Sequence, residues 1–216
     1  MKKKFAIVIA GCGVYDGAEI HEVVMSMQAV LKHGGEYQLF APDVKQHHVV
    51  NHLTGAEMPE TRNVLVEAAR IARGKIKPLS ALNTDEFDAL ILPGGFGVAK
   101  NLSNFAFAGA ECIVNAELEQ AVLSMVKLKK PIGALCISPA IIAGILPGAM
   151  VTIGKDSSDS QAIEKMGAKH MATGHGEVII DSNYKLATTP CYMLDATILQ
   201  IAQGADNVVK ALLELM

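Results

Sequence analysis

Short apolar segments recur along the chain, and turn-forming residues bound each of them. They are FAIVIA (5–10), YQLFA (37–41), ALILPGG (89–95), PIGALC (131–136), EVIID (177–181) and KLATTP (185–190). Segments of this length that are largely apolar are typical of strands buried within a sheet. We therefore predict a strand at each of these positions.

Helical periodicity separates the first four strands, at residues 20–33, 60–73 and 116–128. Alternating strands and helices are the pattern of parallel strands joined by crossover helices. The sequence thus predicts an α/β protein with a mostly parallel, doubly wound sheet.

The end of the chain differs, because only the polar turn Ser182-Asn183-Tyr184 joins the last two strands. Such a turn predicts an antiparallel hairpin, which a final helix over about residues 194–215 follows. Residues 44–78 exceed the usual crossover length and contain NHLTGAEMPETRN. We predict an inserted loop there that leads into a helix and covers a site.

A single domain over residues 1–216 is the arrangement that the length favours, because 216 residues can bury one sizeable core. Half of the residues are hydrophobic and 19% are charged, which suits a buried sheet flanked by helices. The formal net charge is -3, and Lys and Arg are scattered. Nucleic acids require a basic surface, so we predict no nucleic-acid partner.

The four cysteines are far apart in sequence and form no Cys-x-x-Cys pair. This spacing is typical of reduced thiols, and we expect a cytoplasmic protein. The N-terminal apolar run is shorter than the core of an export signal. The apolar stretch 131–153 is long enough for a membrane span, but Pro139, Pro147 and several glycines interrupt it. We predict a strand, a turn and a buried helix there, and no membrane partner.

In open parallel sheets, ligands bind at the carboxyl ends of the strands. Segments of interest follow four predicted strands: GCGVYDGAEIHE (11–22), PGGFG (93–97), CISP (136–139) and PCYM (190–193). Because these strand ends meet at one edge of the sheet, we expect their residues to lie close together.

Cys136 follows one of these strands and precedes a helix that Pro139 helps to start. A cysteine at such a turn lies near the positive end of the helix dipole, which favours the thiolate. The N–H of Ile137 can face an oxygen that becomes negative during attack on a carbonyl group, and the Gly94-Gly95 turn can supply a second donor. We predict a nucleophilic Cys136 with an oxyanion hole beside it.

Glu22 is the predicted acid–base partner, because its helix starts at the carboxyl end of the first strand. Glu19 lies three residues earlier on the same face, so the two carboxylates repel each other and the protonated form of one becomes easier to hold. A protonated carboxyl group can shuttle a proton. Glu19 is equally well explained as a residue that stabilises the start of the helix.

Simpler interpretations stand beside these. Cys136 can be an ordinary buried thiol, and Cys12 can either line the pocket as a substrate contact or fill a tight turn. Cys191 is interpreted as structural, although it follows a strand and can border the pocket. The histidines at positions 47, 48 and 52 lack acidic or thiol partners at ligand spacing, so no metal site is predicted.

The motifs resemble a known family. The GAExxE helix start, LPGG followed by KNLSNFA, and the Cys-x-x-Pro turn are similar to the PfpI superfamily, which is glutamine-amidotransferase-like. The segments GCGVYDGAEIHE, NHLTGAEMPETRNVLVEAARIARG and PGGFGVAKNLSNFA resemble its bacterial ElbB type, also described as isoprenoid-biosynthesis proteins with an amidotransferase-like domain. The resemblance covers nearly the whole chain.

This resemblance implies a flavodoxin-like three-layer fold, a homodimer, and a site of Cys136, Glu22, Gly95 and Ile137. It also implies a glyoxalase without a cofactor, which converts glyoxal to glycolate, and methylglyoxal to lactate, through a Cys136 adduct and a proton shuttle at Glu22. A small dicarbonyl compound is the expected substrate.

One departure from the superfamily bears on the chemistry. Several members place a histidine near the nucleophile, whereas MVTIGKDSSD (150–159) contains none, and His21 and His175 do not lie where the motif would put it. Amide hydrolysis needs a positioned acid for the leaving amine, so an aldehyde substrate is favoured. Two alternatives stay open: a redox-sensing or partner-binding protein that uses Cys136 oxidation, and an amidotransferase-like subunit that lacks its synthase.

Overall fold

The computed structural model describes residues 2–216. Its strands are β1 (Lys4–Val8), β2 (Glu36–Ala41), β3 (Ile76–Pro78), β4 (Ala89–Leu92), β5 (Ile132–Leu135), β6 (Met150–Val151), β7 (Lys169–His170), β8 (Ile179–Asp181) and β9 (Leu186–Thr189). Its α-helices are α1 (Ile20–Lys32), α2 (Val64–Ile71), α3 (Phe96–Lys100), α4 (Phe105–Ala108), α5 (Ala116–Lys127), α6 (Ser138–Ile145), α7 (Ser158–Lys165) and α8 (Ile198–Leu215).

The main sheet has the strand order β3-β2-β1-β4-β5-β9-β8. Its neighbours run parallel except β8 and β9, which are antiparallel with Asp181 opposite Leu186. Helices cover both faces, with α1 packed against α8 and α5 against α6. The predicted flavodoxin-like α/β fold, its mostly parallel sheet and its C-terminal hairpin are therefore confirmed.

The central strands are apolar because they are buried on both faces. Every residue of β4 and β5 is buried, and in β1 only Lys4 is exposed. Burying such side chains stabilises each by about 1.5–3 kcal/mol relative to exposure. This central position fixes the ends of β1, β4 and β5, after which the residues of interest follow.

Two predicted helix boundaries were too early. The helix expected from residue 60 begins at Val64, because the Asn63 side chain accepts a hydrogen bond from the N–H of Val66 and caps it. The last helix begins at Ile198 rather than near residue 194, because Thr197 and Gln200 form a capping box.

The apolar stretch 131–153 folds as β5, α6 and β6, as expected. No helix within residues 2–216 is long and apolar enough to cross a membrane.

The inserted loop lies against the turn that follows β1. The Asp16 carboxylate accepts a hydrogen bond from the N–H of Val50 at 2.7 Å. The Asn101 side chain accepts one from the N–H of His47 at 2.9 Å and donates to the carbonyl oxygens of Ala10 and Asp16. The loop therefore braces the carboxyl edge of the sheet.

Candidate active site

Cys136 lies at the sharp turn between β5 and α6, with a left-handed φ of 60°. Its N–H donates to the carbonyl oxygen of Thr189 at 3.0 Å, and Ser138 Oγ donates to the carbonyl oxygen of Pro93 at 2.8 Å. A non-glycine residue in this conformation costs about 1–3 kcal/mol, and such strain is concentrated at functional sites. Contacts on both sides of Cys136 thus hold it in a strained turn.

Two main-chain donors face the sulfur of Cys136, namely the N–H groups of Gly95 and Ile137. Gly95 has a φ of 100°, and a Cβ there would overlap the main chain of Gly17 and Glu19. Only glycine suits this position, because it lets the turn approach closely without strain. The two donors that the sequence predicted for an oxyanion hole are therefore brought together at one atom.

Gly94 has a different role from the predicted second oxyanion donor. Its N–H donates to Oε2 of Glu22 at 2.8 Å, so it holds the carboxyl group rather than the sulfur. A Cβ at Gly94 would overlap Cys136 and lie 2.9 Å from Glu22 Oε2. Gly94 thus occupies the narrow space between the two reactive side chains.

Glu22 is fully buried in the first turn of α1. Its carboxyl group lies beside the Cys136 thiol, since a Cβ at Gly94 would lie 2.8 Å from Cys136 Sγ and 2.9 Å from Glu22 Oε2. Oε1 accepts a long hydrogen bond, 3.4 Å, from the N–H of Tyr192. The Glu19 carboxylate accepts the N–H of Glu22 at 2.8 Å and so caps the helix. The N-cap of α1 and the candidate site therefore use two carboxyl groups three residues apart, those of Glu19 and Glu22.

Burial, and then the charge of Glu19, raise the pKa of Glu22 to about 8, although the N–H groups of Gly94 and Tyr192 act to lower it. Burial, and then the charge of Glu22, raise the pKa of the Cys136 thiol well above its usual value, opposed by the N–H groups of Gly95 and Ile137. The pair therefore holds protons at neutral pH, and the expectation that the helix dipole favours the Cys136 thiolate was wrong because burial outweighs it. A carboxyl group with a pKa near the working pH can both accept and donate a proton.

A cavity of about 240 Å³ opens onto the sulfur. Its lining residues are Val14, Gly95, Phe96, Ala99, Phe105, Ala106, Cys136, Ile137, Asp159, Tyr192 and Met193. Larger clefts lie along α5 and along β8, but neither contains a cysteine. The small cavity is therefore the place where a ligand can meet the nucleophile.

Cys12, for which the sequence left open a substrate contact or a residue that fills the tight turn, does not line this cavity. Burial is the main cause of its raised pKa, followed by the charge of Glu67, with smaller effects from Arg70 and Asp16. The side chain therefore faces the α2 side of the turn. Val14 is the residue of that turn that reaches the cavity.

Three lining residues of the cavity, Tyr192, Met193 and Asp159, were not predicted from the sequence. Tyr192 and Met193 come from PCYM, which was noted as a strand-end segment without a role for these side chains. Cys191 before them is buried and also left-handed, with a φ of 43°. Asp159 comes from α7, where nothing in the sequence pointed to the site. The inserted loop contributes no lining residue among those described.

Neither candidate histidine lines the cavity. His21 Nδ1 is 2.8 Å from the hydroxyl of Tyr192, on the outer side of the site, and His175 borders the cleft along β8. Residues 150–159 bring a carboxylate, Asp159, to the cavity instead of a histidine. Within residues 2–216, the cavity thus pairs the cysteine with a carboxyl group.

A family model described as the DJ-1/PfpI family matches residues 13–197. The chain is 43% identical over 222 residues to a human protein described as glutamine amidotransferase-like class 1 domain-containing protein 3, mitochondrial, covering 98% of this chain and 83% of the relative. It is 42% identical over 224 residues to the rat ES1 protein homolog, mitochondrial, covering 99% and 84% respectively.

Among solved structures, the fold matches an isoprenoid biosynthesis protein with an amidotransferase-like domain from Ehrlichia chaffeensis. The TM-score is 0.93 at 35% identity, over 99% of both chains. The mitochondrial descriptions of the rat and human relatives, and of a zebrafish ES1 protein, contradict the expected cytoplasmic location. That expectation was wrong because reduced cysteines do not distinguish the cytoplasm from other reducing compartments.

Proposed function

Since this chain belongs to the DJ-1/PfpI family, we propose that it is a glyoxalase of the ElbB type, which needs no cofactor and converts glyoxal, and also methylglyoxal, to the hydroxy acid. The observation that carries the proposal is the buried contact between the Glu22 carboxyl group and the Cys136 thiol, at the end of a small cavity.

The first step is addition of sulfur to an aldehyde carbon. The Glu22 carboxylate takes the thiol proton, and the Cys136 sulfur forms a bond to the carbonyl carbon while the C=O π electrons move to oxygen. The N–H groups of Gly95 and Ile137, which face the sulfur, are near enough to stabilise the negative oxygen. Glu22 then returns its proton to that oxygen, giving a hemithioacetal.

The second step moves a proton between the two carbons. The Glu22 carboxylate removes the C–H proton from the carbon bonded to sulfur, a C=C bond forms, and the electrons of the neighbouring C=O move to its oxygen, giving an enediolate. Glu22 returns its proton to the neighbouring carbon, and the hydroxyl proton of the sulfur-bearing carbon passes to the other oxygen, which leaves a thioester of glycolate. One carbon is oxidised and the other reduced, so no external oxidant or reductant is required.

The third step releases the product. Water adds to the thioester carbon, the C–S bond breaks, and the thiol regains its proton as glycolate leaves. A thiolate leaves more readily than an amine, so no histidine is needed to protonate a leaving group. A site that pairs Cys136 with the carboxyl group of Glu22 therefore suits an aldehyde better than an amide.

Glycolate formation from glyoxal tests this proposal, in a buffer without amines and without an added cofactor. We expect turnover by the wild type that is lost in Cys136→Ala and in Glu22→Gln. Cys112→Ala is the matched control, because this half-buried thiol does not line the cavity. Unchanged turnover in Cys136→Ala would sink the proposal.

A redox-sensing role is the second candidate. The specific observation in its favour is the raised pKa of Glu22, because a protonated carboxyl group beside Cys136 can donate a hydrogen bond to an oxidised sulfur. Mass spectrometry after mild peroxide treatment tests it. Oxidation confined to Cys136 supports this role, and even oxidation of all four cysteines contradicts it.

A further inference from the structure

Beyond the reacting thiol, the cavity wall is apolar except for two side chains. The apolar contacts come from Val14, Phe96, Ala99, Phe105, Ala106, Ile137 and Met193. Tyr192 and Asp159 are the polar exceptions. No Lys, Arg or His belongs to the lining within residues 2–216. A carboxylate or phosphate on a ligand would therefore find no cation to pair with.

The cavity is larger than glyoxal requires. A volume of 240 Å³ corresponds to roughly eight water molecules at about 30 Å³ each. Glyoxal has only two carbons and two oxygens. The remaining space lies against aromatic and aliphatic side chains, which favour an apolar substituent.

Asp159 is the charged side chain of this wall, in the first turn of α7. Ser157 and Ser160 form the capping box of that helix, so Asp159 is not needed as its cap. Among the residues described, Asp159 forms no ion pair, whereas the nearby Asp156 lies 3.4 Å from His170 Nδ1. The carboxylate of Asp159 is therefore free to act on whatever enters the cavity.

Two basic side chains, Lys100 and His21, contact lining residues but do not themselves line the cavity. The ammonium group of Lys100 lies over the Phe96 ring, but it donates to the carbonyl oxygen of Tyr15 at 2.9 Å. His21 Nδ1 lies 3.8 Å from Glu19 Oε1, and the ionisable groups that act on the sulfur are Glu22 and the Cys191 thiol. An anionic ligand would lose its hydration in the cavity and meet the charge of Asp159, with no basic side chain in the lining to pair with it.

We propose that Asp159 is a specificity-determining residue: with the apolar wall, it makes the cavity select uncharged 2-oxoaldehydes that carry an alkyl or aryl substituent and reject those that carry a carboxylate or phosphate. This inference rests on the proposed function for its substrate class. The charge selection itself can be measured without turnover.

The test compares alkylation of Cys136 by neutral iodoacetamide and anionic iodoacetate, followed by mass spectrometry. Each rate is divided by that of glutathione, which removes the intrinsic difference between the reagents. We expect the wild type to favour iodoacetamide about tenfold or more, and Asp159→Asn to lose most of that preference. A change in thiol reactivity affects both reagents alike and cancels in the ratio.

Asp156→Asn is the matched control, because it removes an exposed carboxylate that lies outside the cavity lining. Its ratio should equal that of the wild type. An unchanged ratio in Asp159→Asn would overturn the proposal. Failure of both reagents to label Cys136 would overturn it as well, since the cavity would then not admit even a small ligand.

Turnover supplies the second measurement, with phenylglyoxal and 4-carboxyphenylglyoxal as a matched pair. We expect kcat/KM to favour phenylglyoxal, and Asp159→Asn to raise only the value for the carboxylate, by about tenfold. If alkylation shows the charge preference but no dicarbonyl is turned over, the glyoxalase proposal fails and the selection by Asp159 stands. If turnover occurs without the charge preference, the proposal for Asp159 fails and the glyoxalase proposal stands.

Discussion

The N–H of Gly94 donates to Oε2 of Glu22 at 2.8 Å, although the two residues are 72 positions apart. Through this bond the turn after β4 holds the carboxyl group that touches Cys136. The nucleophile, its proton partner and the donors at the sulfur therefore come from the ends of adjacent strands. Changes at any of these turns should alter the geometry of all three.

Gly94→Ala tests the space between the two side chains. The added methyl group overlaps Cys136 and lies 2.9 Å from Glu22 Oε2, so one of them must move. We expect glycolate formation to fall about 100-fold or more, and the free energy of unfolding to fall by about 1–3 kcal/mol. Gly144→Ala in α6 is the control, since its Cβ meets nothing closer than 3.5 Å. Equal activity in the Gly94→Ala variant and the wild type would contradict the close packing.

The pH dependence of the reaction follows from Glu22. Its pKa is raised to about 8, and the carboxylate is the form that accepts protons, so kcat/KM should rise about tenfold per pH unit below 8 and level off above it. A pH–rate profile with glyoxal measures this. A flat profile between pH 6 and 9 would argue against Glu22 as the base.

Glu19→Gln should move that profile. The charge of Glu19 helps to raise the pKa of Glu22, and the glutamine oxygen can still accept the N–H of Glu22. We expect the midpoint of the profile to shift to lower pH, because the carboxylate of Glu22 then forms more easily. An unchanged midpoint would mean that Glu19 acts only as a helix cap.

Stability should depend on pH through the same residue. The pKa of Glu22 in the folded protein, about 8, lies above the usual value of 4.5. Its contribution to the free energy of unfolding is therefore fully present below pH 4.5 and is lost as pH rises through 8. Each unit of difference corresponds to about 1.4 kcal/mol. In urea unfolding at pH 9, Glu22→Gln should therefore be more stable than the wild type by a few kcal/mol. Equal stability of the two proteins at pH 9 would contradict the raised pKa.

His21→Ala tests whether a histidine takes part. His21 contacts the hydroxyl of Tyr192 but does not itself line the cavity, so we expect turnover within about threefold of the wild type. Tyr192→Phe removes the same hydrogen bond, so its turnover should also lie within about threefold of the wild type. A loss of about 100-fold in His21→Ala would instead indicate general acid–base catalysis by that residue.

Much of the fold could be predicted because it depends on local signals. Unbroken apolar runs mark β4 and β5, and the short polar turn marks the β8–β9 hairpin. The starts of α2 and α8 were predicted too early, because the side chains of Asn63 and Thr197 cap these helices and hydrophobic periodicity does not reveal a cap. The short strands β3, β6 and β7 carry too few residues to show a period.

The candidate site could likewise be predicted only in part. Cys136, Gly95 and Ile137 could be placed together because the topology brings strand ends to one edge. Asp159 could not be placed at the site from the sequence. The helix α7 reaches the cavity through tertiary packing, which the alternation of strands and helices does not specify. Two interpretations of Cys12 stayed open because membership of a strand-end turn does not fix the direction in which a side chain points.

The most direct test of the Cys136–Glu22 pair is ¹³C NMR of the reaction with uniformly ¹³C-labelled glyoxal. The wild type should form labelled glycolate, whereas Glu22→Gln, which lacks the base of both proton transfers, and Cys136→Ala, which lacks the nucleophile, should form none. Glycolate formed by Cys136→Ala at the wild-type rate, or no glycolate from the wild type, would contradict the account.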